Sequence, residues 1–277
     1  MTMTADADGA ATPAPRTTAI PTTALTDPDQ IRWLRDQNRR TGGIRLFCLP
    51  HAGAGASAFR GWPELVGPGV QVTAIQLPGR EDRIRDPAHD SLEDLLAELV
   101  PVLARAVDGP YALFGHSMGA LIAFETARRL VAQGTPAPQH LFASAHGAPH
   151  APYRNRRVST LPEPEFRRAM QSLGGIREDS AKDSAKEALS ASPLLSTLRA
   201  DFRLWETYEY VDGAPLPCRL TVLSGADDDI PPLDLALWRE LHTGPFRIRV
   251  IDDGRHFVMR QRRQVAEVVR AGLAGEF

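Results

Sequence analysis

From residue 44 onward, short apolar runs rich in β-branched and aromatic side chains alternate with longer segments whose apolar residues recur at helical spacing. That alternation predicts an α/β fold, a mostly parallel sheet flanked by helices, because strands separated by helices return to the same edge and pair in parallel. The strand candidates are "IRLFCLP" (44–50), "VQVTAIQLP" (70–78), "YALFGH" (111–116), "HLFASAH" (140–146), "CRLTVLSG" (218–225) and "FRIRVID" (246–252). Between them, "SLEDLLAELVPVLARAV" (91–107) opens with Ser91 as a helix cap, and Ser117 to Gln133 forms a second helix stopped by Gly134. No internal repeat is apparent.

The alternation breaks between about residues 147 and 213, where three helix-like pieces occur without a convincing strand. An insertion of this size on a parallel sheet commonly forms a lid over the functional edge. Its last piece, "SPLLSTLRADFRLWETYEY", puts Leu195, Leu198, Phe202 and Trp205 on one helical face, suited to packing the lid on the body and to lining an acyl pocket. Residues 1 to about 28 are Ala, Thr and Pro with hardly any large side chains, so a flexible tail is expected there and the folded domain is expected over 29–277.

The 277 residues suffice for one large domain or two small ones, and 43% apolar content can build a sizeable core. A net charge of −2 lacks the basic excess that nucleic-acid binding uses. No apolar run approaches the roughly 20 residues of a membrane span, and the N-terminus lacks the pattern of a signal peptide. Cys48 and Cys218 both lie in strand-like runs, where a thiol behaves as a small buried hydrophobe. The expectation is a cytoplasmic protein without nucleic-acid or membrane partners, with a monomer as the starting assumption.

"GHSMG" (115–119) fits G-x-S-x-G, and it stands between the strand "YALFGH" and the helix "MGALIAFETARRL". In that strand–turn–helix setting the serine is exposed at the C-terminal sheet edge, so Ser117 is the candidate nucleophile. A serine hydroxyl needs a histidine to take its proton and a carboxylate to hold that histidine in the right tautomer. In the order Ser, Asp, His, "LTVLSGADDDIPP" supplies Asp227, Asp228 and Asp229 after a late strand, and "FRIRVIDDGRHFV" places His256 after the final one. His242 is the other downstream histidine, in an expected helix, "DLALWRELH".

Of the remaining histidines, His89 and His150 are expected to be exposed, His140 to cap a strand and His116 to pack or orient beside the serine. His51 and His146 end strands at the reacting edge and are candidates for lining the site. An acyl-transfer intermediate needs two N–H donors at its oxyanion. Met118, directly after the nucleophile, should give one, and Ala52 in "LPHAGAGAS" (49–57) the other. That glycine-rich loop fits neither the dinucleotide nor the P-loop pattern, and no spacing suggests a metal.

With these residues in view, the chain resembles the type II thioesterases of polyketide and nonribosomal peptide assembly lines, α/β-hydrolases related to the medium-chain acyl thioesterase of fatty acid synthesis. The likeness runs over about 40–275 through "LFCLPHAGAGASAFRGW", "QLPGRE", "FGHSMGALIAFETARRL", "LFASAHGAP", "LRADFRLWETYEY", "LSGADDD" and "GRHF". It implies a triad of Ser117, Asp228 and His256, with the acid three residues beyond Gly225 of the Ser224–Gly225 turn. The chain departs from the family in three places: Asp229 replaces a frequent proline, His146–Gly147 replaces a frequent Arg-Arg, and Arg255 replaces a common glycine.

The resemblance implies hydrolysis of acyl groups from the phosphopantetheine arm of acyl or peptidyl carrier proteins, with no cofactor of the enzyme's own. Carriers are usually acidic, which makes Arg154, Arg156 and Arg157 candidates for the contact. Removal of stalled or aberrant chains is the leading reading. Dedicated release of one medium-chain acyl precursor is the alternative with the same chemistry, and a non-catalytic carrier-binding protein is the alternative of another class.

Overall fold

The computed structural model describes residues 27–38, 42–152, 157–172, 193–252 and 261–276. In chain order the elements are α1 (Pro28–Trp33), β1 (Leu34–Asp36), β2 (Ile44–Leu49), α2 (Trp62–Val66), β3 (Val70–Ile75), α3 (Leu92–Ala106), β4 (Tyr111–His116), α4 (Met118–Ala132) and β5 (His140–Ser144). They continue with α5 (Glu163–Ser172), α6 (Pro193–Glu206), β6 (Arg219–Gly225), α7 (Pro232–Ala236), β7 (Phe246–Ile251) and α8 (Arg262–Ala274). Three short 3₁₀ turns complete the described elements.

The seven strands form one sheet in the order β1-β3-β2-β4-β5-β6-β7, parallel except for β1. Each of the six expected strands is present, and β4 spans the expected residues exactly as the apolar run ends. Side chains alternate between the two faces, as period-2 geometry requires. Phe47 and Leu49 of β2 and Tyr111 and Leu113 of β4 point to the face covered by α3 and α4. Leu46, Cys48, Ala112 and Phe114 point to the opposite face, against α2 and α8. There Phe59 meets Trp62 and Phe114 edge to face, Trp62 and Phe114 pack at a tilt, and none of the three is exposed to solvent. Burying a large apolar side chain of this kind contributes about 2–3 kcal/mol of transfer free energy.

Local sequence sets the helix ends. The Ser91 hydroxyl accepts from the Asp94 N–H at the start of α3. At the end of α4, Gly134 takes φ 85° and the Thr135 N–H donates back to Leu130 O, the left-handed stop that glycine permits.

Several elements differ from expectation. Helix α1, with its Asp27 cap, and the antiparallel edge strand β1 precede the alternation and were not anticipated, and neither was α8. "DLALWRELH" is not one helix: α7 passes into a 3₁₀ turn at Leu237–Leu241, and His242 is extended and buried. Among the described residues the 147–213 insertion carries two helices, α5 and α6. The expected flexible tail lies, up to residue 26, outside the described residues.

Candidate active site

β4 occupies the centre of the sheet, and Ser117 follows its last residue with φ 53° and ψ −122° before α4 begins at Met118. A non-glycine residue held in such a region costs on the order of 1–3 kcal/mol and persists only where its surroundings over-determine it. Here the Ser117 N–H donates to Ser144 O at 2.7 Å, and the Ala120 N–H donates to Ser117 O at 2.8 Å. A Cβ on Gly115 would lie 2.1 Å from Gly119 O, and one on Gly119 only 2.3 Å from Leu49 O and 2.6 Å from Pro50 O. The start of α4 therefore rests backbone to backbone on the end of β2. This contact brings the 50–55 loop beside the serine.

The two expected oxyanion donors lie on these adjoining pieces. Met118 is the first residue of α4, where backbone N–H groups have no intrahelical acceptor, and Ala52 is half-buried in the loop after β2. The loop turns back through an Ala54 N–H bond to His51 O at 3.1 Å, with Gly53 at φ 77°. The His51 and His116 rings meet edge to face at 5.6 Å. His51 thus stands next to the elbow.

Beyond β6, Asp227 and Asp229 are exposed, whereas Asp228 is half-buried. Its Oδ2 accepts from the Gly225 N–H at 2.7 Å and the Ser224 hydroxyl at 3.0 Å. Its Oδ1 is buried without a hydrogen-bond partner among the described residues. β6 and β7 run in parallel to the pair Gly225↔Ile251, and the Ala226 N–H donates to Ile251 O at 3.0 Å. The chain that continues from β7 toward His256 therefore leaves the sheet beside the Asp228 turn. His256 itself lies outside the described residues.

His116 is buried, with Nδ1 and the Ser144 hydroxyl 3.0 Å apart, in keeping with a packing and orienting role. His146 is half-buried at the end of β5; its Nδ1 donates to Gly147 O, and its ring lies 6.1 Å from Trp205. Trp205 meets Phe202, and Phe202 meets Phe166, at 6.0 and 6.2 Å. The α6 stripe does pack the insertion: Leu195 and Leu198 join Phe166 and Met170 in a small core that also touches Ala52. His51, His146, Phe202 and Trp205 are all half-buried.

Other histidines need correction. His89 and His150 are half-buried, the first stacked on Trp33 and the second against Tyr210 and Glu240, because each flat ring covers an aromatic neighbour. His140 opens β5 but is a core residue, 3.9 Å above Phe142 and 2.9 Å from the Thr221 hydroxyl, and burial pushes its pKa down to about 4. Of the three arginines proposed for a carrier contact, Arg157 is exposed, and Arg154 and Arg156 lie outside the described residues.

Sequence reasoning missed a buried ion pair at this edge. Arg80, in the turn after β3, forks onto Asp201 of α6 at 2.7 and 2.8 Å, with both side chains 3% exposed. Asp201 Oδ2 also accepts from the Gly53 N–H at 2.7 Å. The signal was present in the blocks "QLPGRE" and "LRAD", which carry the two charges, but their 121-residue separation hides the pairing. Their neighbours reinforce the same corner: Gln76 Oε1 accepts from the Ala56 N–H at 2.8 Å, and Glu81 Oε1 accepts from the Ser57 hydroxyl at 2.5 Å.

Residues 44–273 match the thioesterase domain family. The chain belongs to that family. Among its relatives, the gramicidin S biosynthesis protein GrsT of Aneurinibacillus migulanus is 34% identical over 230 residues, covering 82% of this chain and 88% of GrsT. Among solved structures, the RedJ thioesterase of the prodiginine pathway in Streptomyces coelicolor superimposes with a TM-score of 0.76 at 38% identity, over 83% of this chain and 86% of RedJ. The type II thioesterase BorB of the borrelidin cluster gives 0.78 at 33%, over 87% and 97%. The thioesterase assignment accounts for the elbow, the parallel sheet and the helical insertion together, and the protein is a thioester hydrolase of the α/β-hydrolase type. Among the described residues no helix is long and apolar enough to cross a membrane, and no cluster of His, Cys, Asp and Glu could hold a metal.

Proposed function

We propose that this thioesterase hydrolyses acyl groups from the phosphopantetheine arm of acyl or peptidyl carrier proteins, clearing stalled or aberrant chains, with Ser117, Asp228 and His256 as its triad. The observation that carries the reading is the serine at φ 53° between the central strand and α4, a conformation that presents its hydroxyl at the strand ends.

In the proposed reaction His256 takes the Ser117 proton as Oγ bonds to the thioester carbon, and the N–H groups of Met118 and Ala52 receive the negative charge on oxygen. The C–S bond then breaks, and the leaving sulfur takes the proton from His256. In the second half water loses a proton to His256 and attacks the acyl-serine. Collapse returns that proton to Ser117 and frees the carboxylic acid. Asp228 holds the imidazole through Oδ1, the oxygen that the Gly225 and Ser224 bonds leave open. Phe202, Trp205, His51 and His146 border the acyl chain, and the lid is the 147–213 insertion.

The test is hydrolysis of a panel of carrier-bound acyl chains, alongside labelling by a fluorophosphonate. Wild type should turn over many chains and take the label; Ser117→Ala should lose both. Undiminished turnover by that variant would falsify the assignment, and confinement to a single acyl chain would move the reading to dedicated precursor release.

A further inference from the structure

The Arg80–Asp201 pair does more than close a gap in the core. Asp201 offers two oxygens, and the fork of Arg80 uses both, at 2.7 and 2.8 Å. Oδ2 carries one bond more, from the Gly53 N–H at 2.7 Å. Gly53 follows Ala52, so this bond fixes the plane of the peptide that leaves Ala52 and limits the rotation of Ala52 itself. The other face of the loop lies against α6: a Cβ on Gly53 would lie 2.6 Å from Leu198 Cδ2, one turn before Asp201. Arg80 completes the frame from the turn after β3, with Nε on Pro78 O at 3.0 Å and Nη1 within 3.4 Å of Ala54 O.

We propose that Asp201, held by Arg80, is a positioning residue that sets the oxyanion loop, so that the second oxyanion donor is correctly placed only while α6 is seated on the body. This inference rests on the thioesterase mechanism proposed above. A hydrogen bond to a buried charged acceptor is strong and directional, which suits it to hold a glycine-rich loop that would otherwise sample many conformations. A second anchor of α6, the Thr197 hydroxyl, donates to Gly79 O at 2.6 Å and holds the helix through a bond other than the one to Gly53. It separates seating of the helix from orientation of the donor.

The experiment compares wild type with Asp201→Asn, Arg80→Lys and Thr197→Val in the full chain. An acyl N-acetylcysteamine thioester serves as substrate and a trifluoromethyl ketone as mimic of the tetrahedral adduct. Rates are expressed per serine titrated to completion by a fluorophosphonate, so that an unfolded fraction does not count. Asparagine keeps the shape but has one acceptor oxygen for both Gly53 and Arg80, so kcat should fall at least tenfold with KM within twofold. The ketone should weaken by a similar factor. Arg80→Lys, which keeps the charge and loses the fork, should fall between wild type and Asp201→Asn, and Thr197→Val should keep kcat within threefold. An active wild type whose Asp201→Asn variant retains kcat within threefold overturns this inference alone, as does an equal loss in Thr197→Val. A wild type that hydrolyses no thioester overturns the mechanism it rests on.

Discussion

At the scale of single residues, three adjacent aspartates share one loop, and their surroundings separate them. Asp227 and Asp229 face solvent, whereas Asp228 is drawn inward by the Gly225 N–H and the Ser224 hydroxyl. A carboxylate that is itself hydrogen-bonded can hold an imidazole in one orientation, which a solvated one does poorly. Asp228→Asn should therefore lower kcat/KM by about three to four orders of magnitude. Asp227→Asn and Asp229→Asn should stay within roughly tenfold of wild type, since neither loses a packed contact. Steady-state hydrolysis of an acyl thioester checks all three, and a crippled Asp227→Asn would shift the triad register by one residue.

Among the elements, the join between β2, β4 and α4 decides whether a site exists. Gly119 lies where a Cβ would approach two carbonyl oxygens of the β2 end within 2.6 Å, and neither oxygen belongs to a side chain that could move aside. Gly119→Ala should push α4 away from β2, costing about 3 kcal/mol of stability. For a chain of this size that corresponds to a fall in Tm of roughly 6–12 °C. Catalysis should suffer at least tenfold in the molecules that remain folded, because Met118 and the 50–55 loop separate. Calorimetry and kcat per titrated serine measure the two effects independently.

For the whole molecule, stability should respond to pH through the core as well as through the site. His140 is buried between Phe142 and Thr221 near the C-terminal helix, and burial lowers its pKa from the ordinary value near 6.5 to about 4. The native state thus favours the neutral ring. This contribution is complete above the unfolded value and is lost as pH falls from about 6.5 through 4. Between pH 7 and pH 5 the loss should be about 2 kcal/mol. Urea unfolding at the two pH values, compared with His140→Gln, measures it: the variant should show a pH dependence smaller by that amount. Equal pH dependence in both would mean that the ring does not resist protonation in the fold.

The sequence by itself determined the alternation of strands and helices, the parallel sheet and the serine elbow, because those follow from side-chain period and from glycines at fixed offsets. Apolar runs such as "YALFGH" and "HLFASAH" declare a strand locally and need no distant partner. The short edge strand β1 and helix α1 were not legible, since three residues of strand carry no usable period and gain their structure from pairing with β3. The inward position of Asp228 beside two exposed aspartates, and the core position of His140, required burial, which depends on what the rest of the chain packs against them. Only the tertiary structure joined Arg80 to Asp201 and Asp201 to Gly53, because the desolvation cost of two buried charges is offset only where the fold brings them within bonding distance.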